Sequence, residues 1–278
     1  MKFQHSAAAA VILLISAPFA PAQKAEKLTL KPALEAGGHY QLEQVVKTTM
    51  EGGKQDHTAT QDYTLSVFRY GTGEKKDKLV RSKVNRVRIE TNATADGKRI
   101  TFDSGDPKQQ HPSLAEVGKG MLAVTSGAIY DEDDIFKSFE GAVSDDATKA
   151  LMKKLTDLGF PAEPVGPGDT WKHQVETQMG QMGLVKYDLD YHFTKMARYD
   201  GHQCALLAIS GSLATIPGAA ANEGFDIRSR SLSGVMYFDP ELGAVRKYEI
   251  NSQLDLTAYG RKMPGSMNIR TVLTKFSQ

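Results

Sequence analysis

The chain has one cysteine and one tryptophan among 278 residues. A single cysteine excludes an internal disulfide. A chain of this length does not need one, since it buries roughly 70–75% of the surface its unfolded form exposes. Cys204 lies in His202-Gln203-Cys204-Ala205-Leu206-Leu207-Ala208-Ile209. Both faces of that strand are apolar, so it reads as a small buried hydrophobe, not a reactive thiol. Charge of one sign is also missing: the formal net charge is +1, which selects no partner. The standard catalytic signatures are absent too. There is no Gly-x-Ser-x-Gly, no His-Glu-x-x-His, no phosphate loop around Gly118-Lys119-Gly120 and no Cys-x-x-Cys. No catalytic residue, cofactor or metal site is therefore expected.

Long apolar runs are limited to one. Ala7 to Ala17, broken only by Ser16, follows Lys2 and His5 and precedes Ala20-Pro21-Ala22. The run is shorter than the roughly 20 residues a membrane span requires. Basic start, short apolar run and small-x-small ending form a signal peptide over residues 1–22. The expected mature chain, 23–278, is exported to the periplasm or beyond, with no transmembrane segment after cleavage.

What the chain does have is period-two alternation, interrupted by turn residues. Tyr40 and Leu42 open one strand, and Tyr63, Leu65 and Val67 share a face of the next. Val80 and Val84 have one parity while Val87 and Ile89 have the other, which predicts a bulge near Asn85 or Arg86. Asp96-Gly97 and Asp200-Gly201 are hairpin dipeptides, and Asp239 to Gly243 is a longer hairpin link. Tyr187, Leu189, Tyr191 and Phe193 line one strand face; Lys186, Asp188, Asp190 and His192 line the other. Residues 202–216, 225–238, 244–259 and 266–276 read as further strands.

Leu114 to Ile129 is apolar without a clean period. Ser144 then looks like a helix N-cap, and Ala147, Ala150, Leu151, Leu155 and Leu158 make one apolar stripe ended by Gly159. The spacing predicts a helix over 145–158. It is followed by a stiff Pro/Gly connector. The expectation is a mainly β chain of about ten strands and one helix. With short links the strands pair antiparallel, in one strongly curved sheet, half-barrel or barrel-like. Residues 23–278 form one β-rich domain, with possible halves 28–143 and 160–278.

The residues that could carry chemistry are few. Lys75, Lys76, Lys78, Arg81, Lys83, Arg86 and Arg88 make a basic hairpin that could hold an anion or a partner. It equally suits a charged face that resists aggregation. No aromatics interleave with the cations, which argues against nucleic acid. Asp131 to Asp146 is acidic but lacks the spacing of a calcium loop. Asp188, Asp190 and His192 sit roughly 7 Å apart along a strand and would need further ligands from a neighbour to hold a metal.

Several short elements together resemble domain-of-unknown-function family 6263, exported bacterial proteins. They are Leu28 to Tyr40, Phe102-Asp103-Ser104-Gly105-Asp106-Pro107, Glu163 to Trp171 with Gly168-Asp169-Thr170-Trp171, and Gly234 to Gly243. The resemblance implies an all-β body with a helical insert and brings no activity. The function expected from all of this is a non-enzymatic envelope protein that shelters a hydrophobic ligand or lipid in its sheet, or docks on an envelope protein. The alternatives are an interaction module using hairpin 75–88 or a sheet edge, and a hydrolase assembled from separate strands.

Overall fold

The computed structural model describes residues 27–33, 35–50, 55–70, 77–92, 96–123, 125–131, 136–140, 158–178, 184–216, 225–258 and 260–277. The segment 1–22, expected to be a signal peptide, and the helix expected at 145–158 lie outside the described residues, apart from Leu158, which is not helical.

Twelve strands form one sheet: β1 (His39–Met50), β2 (Gln55–Tyr70), β3 (Asp77–Thr91), β4 (Ile100–Asp103), β5 (Thr125–Tyr130), β6 (Phe136–Phe139), β7 (Thr170–Gln178), β8 (Leu184–Tyr199), β9 (His202–Thr215), β10 (Phe225–Asp239), β11 (Ala244–Ala258) and β12 (Arg261–Ser277). Their order is β6-β5-β3-β2-β1-β12-β11-β10-β9-β8-β7, with β4 beside β3. Every pairing is antiparallel. Two runs of neighbouring strands, one on each side of the connector, are joined where β1 pairs with β12, from His39–Ser277 to Met50–Gly265.

That join corrects the expected half-barrel. It uses the innermost strands, so β6 and β7 are left as edges and the sheet stays open. Strands make their main contacts only with hydrogen-bonded neighbours, and the sheet is not strongly curled. The strand number is twelve, not about ten, because β5 and β6 are too short for alternation to stand out.

Local chemistry explains most of the register. Asp62 pairs with Arg86 but Tyr63 with Val84, so Asn85 is the extra residue of the expected bulge. The bulge returns both valine pairs to one face. Asp200 and Gly201 both have positive φ, 49° and 82°, and close a tight hairpin between Tyr199 and His202. Asp96-Gly97 does not: only Gly97 has positive φ, and the link runs from Asn92 to Arg99. At the β10–β11 turn the buried Asp239 accepts from the backbone N–H groups of Glu241 and Leu242. It also accepts from Arg246 Nε at 2.6 Å.

The helix that sequence did not anticipate is α1 (Pro112–Leu122). Pro112 stands at its first turn and the His111 side chain accepts from Ser113 N–H. Leu114, Ala115, Met121 and Leu122 pack with Tyr63 on the cluster of Val84, Val87, Ile89 and Phe102. Gly118 brings the helix close: a Cβ there would lie 2.2 Å from the Phe102 ring. Gly120, in the same helix, faces nothing within 4 Å.

The two glycines make a paired prediction. Gly118→Ala should destabilise by about 1–2 kcal/mol, overpacking of about 1–3 kcal/mol outweighing a helix-propensity gain of about 1 kcal/mol. Gly120→Ala should stabilise by up to about 1 kcal/mol. Urea unfolding midpoints of the two variants would separate these effects, and equal shifts would contradict the packing of α1 on Phe102.

Candidate functional site

Pairing registers assign every strand residue to one of two faces. The outer face holds most of the charge. It carries Glu43 and Lys47 of β1, Asp56 and Asp62 of β2, Arg81, Lys83, Arg86 and Arg88 of β3, Glu249 of β11, and Asp188, Asp190 and His192 of β8. The inner face is apolar. At one flank, Leu189, Tyr191 and Phe193 lie in a buried cluster with Leu207, Ile209, Met236 and Ile250. Tyr187 packs against that cluster. At the other flank α1 covers Val84, Val87 and Ile89.

The flanks are covered for identifiable reasons. Leu28 and Val165 exchange backbone hydrogen bonds of 2.7 and 2.8 Å, which lays the N-terminal segment and the connector over the first cluster. Leu30 and Val165 are buried there, and Phe160 meets Phe238 edge-on at 5.0 Å. Asp169 holds the connector by accepting from Gly166 N–H at 3.0 Å and pairing with Lys27 at 3.4 Å. These partners hold its carboxyl below the usual range. Trp171 then stacks on Tyr191, with centroids 5.4 Å apart and planes at 5°.

Between the flanks the inner face is less fully buried. None of the inward residues of β1 from Leu42 to Met50 is buried, and none of those of β2 from Gln55 to Leu65. On β1 these are Leu42, Gln44, Val46, Thr48 and Met50; on β2 they are Gln55, His57, Ala59, Gln61, Tyr63 and Leu65. Ile269 and Thr271 of β12 complete the strip. Val46 pairs directly with Ala59, and neither belongs to a buried cluster.

The strip carries no acid, lysine or arginine. Its one titratable base, His57, has its pKa lowered by desolvation, which favours the neutral ring. Burial likewise raises the pKa of Tyr63 and of the flanking Tyr248, keeping both hydroxyls protonated. Gln44 Nε2 donates to Thr271 Oγ1 at 3.4 Å. The result is a half-exposed, uncharged surface of aliphatic, amide and hydroxyl groups, on strands whose other face carries Glu43, Lys47, Asp56 and Asp62. It can hold an apolar chain and offers no group activated for proton transfer or nucleophilic attack.

The basic hairpin has a different character. Lys75 and Lys76 lie outside the described residues. Arg81, Lys83, Arg86 and Arg88 share the outer face, with Lys78 on the inner one. Arg81 pairs with Glu140 and lies 5.6 Å from the Phe68 ring centroid, and Arg88 pairs with Glu90. Arg86 forks onto the buried Asp103 at 3.1 and 2.7 Å, and Asp103 also accepts from Gly105 N–H. The Arg86 hydrogen bond, more than any other influence, holds the Asp103 carboxyl below its ordinary range.

On β8, Asp188 pairs with Lys186 at 3.2 Å and Asp190 with Lys172 at 3.4 Å. A shallow cleft of ≈ 580 Å³ lies beside them over Ala208, rimmed by Thr170, His192 and Ser210. A second, of ≈ 280 Å³, lies between Leu30 and Phe160. Among the described residues no three His, Cys, Asp or Glu side chains converge as metal ligands. Cys204 is buried, and burial pushes its thiol up to about 11.

No family model and no curated protein matches the chain. Among solved structures, the chain is similar to lipovitellin, in a structure concerned with its lipid–protein interactions. The identity is 9% and the TM-score 0.46, covering 88% of this chain and 26% of that one. The chain thus spans about a quarter of that lipovitellin chain. A DUF1329 family protein from Desulfovibrio piger is 10% identical at a TM-score of 0.18, covering 86% of each chain. Likenesses this distant do not bear on function.

The Arg86–Asp103 pair predicts an acid dependence. A carboxylate with a lowered folded-state pKa stabilises fully above its unfolded value, about 3.9, and loses that stabilisation as pH falls through the folded value. Arg86→Gln should lower stability at pH 7, since it removes the forked hydrogen bond to the buried Asp103 carboxylate. It should also flatten the fall in stability between about pH 5 and pH 2. Urea midpoints across that range check both, and an unchanged slope would mean the pair is not formed.

Proposed function

We propose that the chain is an exported envelope protein of family 6263 that binds a hydrophobic ligand on the uncovered strip of β12, β1 and β2. One observation supports this above the others: the inward residues of β1 from Leu42 to Met50 and of β2 from Gln55 to Leu65 are free of acids, lysines and arginines and none is buried. Ligand sites of this kind are mostly apolar, with a few placed polar groups. Here Gln44, Thr48 and Gln61 fill that part beside Val46, Ala59 and Ile269.

The magnitudes suit a lipid chain. Each buried methylene contributes about 0.8 kcal/mol, so a long acyl chain would gain on the order of 10 kcal/mol before the cost of association. A small polar ligand would gain little from the same surface. The β3 cations support the rival interaction-module reading less well, because Arg81, Arg86 and Arg88 already have carboxylate partners.

Native mass spectrometry of the exported protein, with organic extraction, tests the proposal. A near-stoichiometric apolar adduct is expected, lost in Ala59→Lys while circular dichroism stays unchanged. A bare mass that takes up no offered lipid, or an adduct untouched by Ala59→Lys, would overturn it.

A further inference from the structure

The two ends of the strip are unlike, and from this we infer the orientation and class of its ligand. It is a single-chain amphiphile lying along β1 and β2, its tail toward Leu42 and Leu65 and its polar head at Gln55 and His57. The inference rests on the strip being a lipid site, as proposed above.

The end at Leu42 is sealed. Tyr40, Val67, Leu242 and Leu273 form a buried cluster there, against which Leu42 and Leu65 pack. The Tyr40 and Phe276 rings lie 4.8 Å apart, and Tyr40 Oη accepts from Glu35 N–H at 3.1 Å. A chain end can press on this wall, but a hydrated head group would lose its water without replacement hydrogen bonds. The other end is open: Gln55 and His57 are exposed and offer an amide and an imidazole. Along β2 the inward residues from Leu65 to Ala59 are half-buried, while His57 and Gln55 are exposed.

Length and width agree with one chain. Leu42 to Met50 spans about 26 Å at 3.3 Å per residue. That exceeds the roughly 15 Å of one leaflet's hydrocarbon, so a long acyl chain fits with its head at the mouth. Tyr63 is held by the α1 cluster, and Met50 and Ile269 by the other. The floor left free is the Val46–Ala59 pair and its neighbours, about one strand spacing, 4.8 Å, across.

Photo-crosslinking reads the orientation directly. The full exported protein is labelled with two fatty acids, one carrying a diazirine beside the carboxylate and one at the terminal methyl. A lysophospholipid with the terminal diazirine forms the second arm, and whichever arm labels identifies the source of the chain. The head-proximal probe should mark the Gln55–His57 peptide and the terminal probe the Leu42 and Leu65 peptides. The reverse pattern, or equal labelling of both ends, would overturn the orientation while leaving a lipid site standing. Absence of label from β1, β2 and β12 with every probe would remove the site itself.

Discussion

The ladder between β1 and β12 is the constraint on which the rest depends. It brings His39 against Ser277 and Met50 against Gly265, so strands more than two hundred residues apart in sequence become central neighbours. Without it there are two separate meanders, each with a long unpaired strand facing solvent. Such an edge is a template for association with other chains. With it the exposed edges move outward to β6 and β7. β6 spans only Phe136–Phe139, and β7 alternates Lys172 and Glu176 with its inward residues. Closing so long a loop carries an entropic cost, and the pairing belongs to the slow, non-local kind.

The same ladder creates the candidate site. The covers of the inner face lie over the two outer parts of the sheet: α1 beside β3 and β4, and the Leu28–Val165 pairing over β8 to β10. The Leu28 segment leads into β1 at His39, but Leu30 and Val165 are buried in the cluster built mainly on β8 to β11. The seam strands therefore present Val46, Ala59, Gln44 and Gln61 half-exposed, although both flanks are buried. Charge follows the same division. The outer face of β1, β2 and β12 carries Glu43, Lys47, Asp62 and Arg270, while on the inner face Arg69 and Arg261 stand at strand ends, outside the strip. The binding reading and the fold thus share one cause.

Much of the fold was legible because its signals are local. The parity change between Val84 and Val87 located the Asn85 bulge, and Asp200-Gly201 located a hairpin with two positive φ values. Tyr187, Leu189, Tyr191 and Phe193 fell on the inner face as alternation required. Helix α1 was missed although Leu114, Ala115, Gly118, Met121 and Leu122 keep helical spacing. Two glycines within eleven residues weakened that signal, and Gly118 is there because Phe102 leaves no room for a side chain. The site was not legible at all. Alternation marks Val46 and Ala59 as inward but cannot show that they stay half-exposed, and strand order is a property of pairing between distant segments.

The central claim is that the open strip is occupied by a ligand when the protein does its work. A crystal structure of the protein purified without delipidation from its native cells tests this most directly. The account predicts continuous elongated density over Val46 and Ala59, running from Leu42 toward His57, that no protein atom explains. Side chains of the protein's own residues packed across the strip, with no such density, would contradict it.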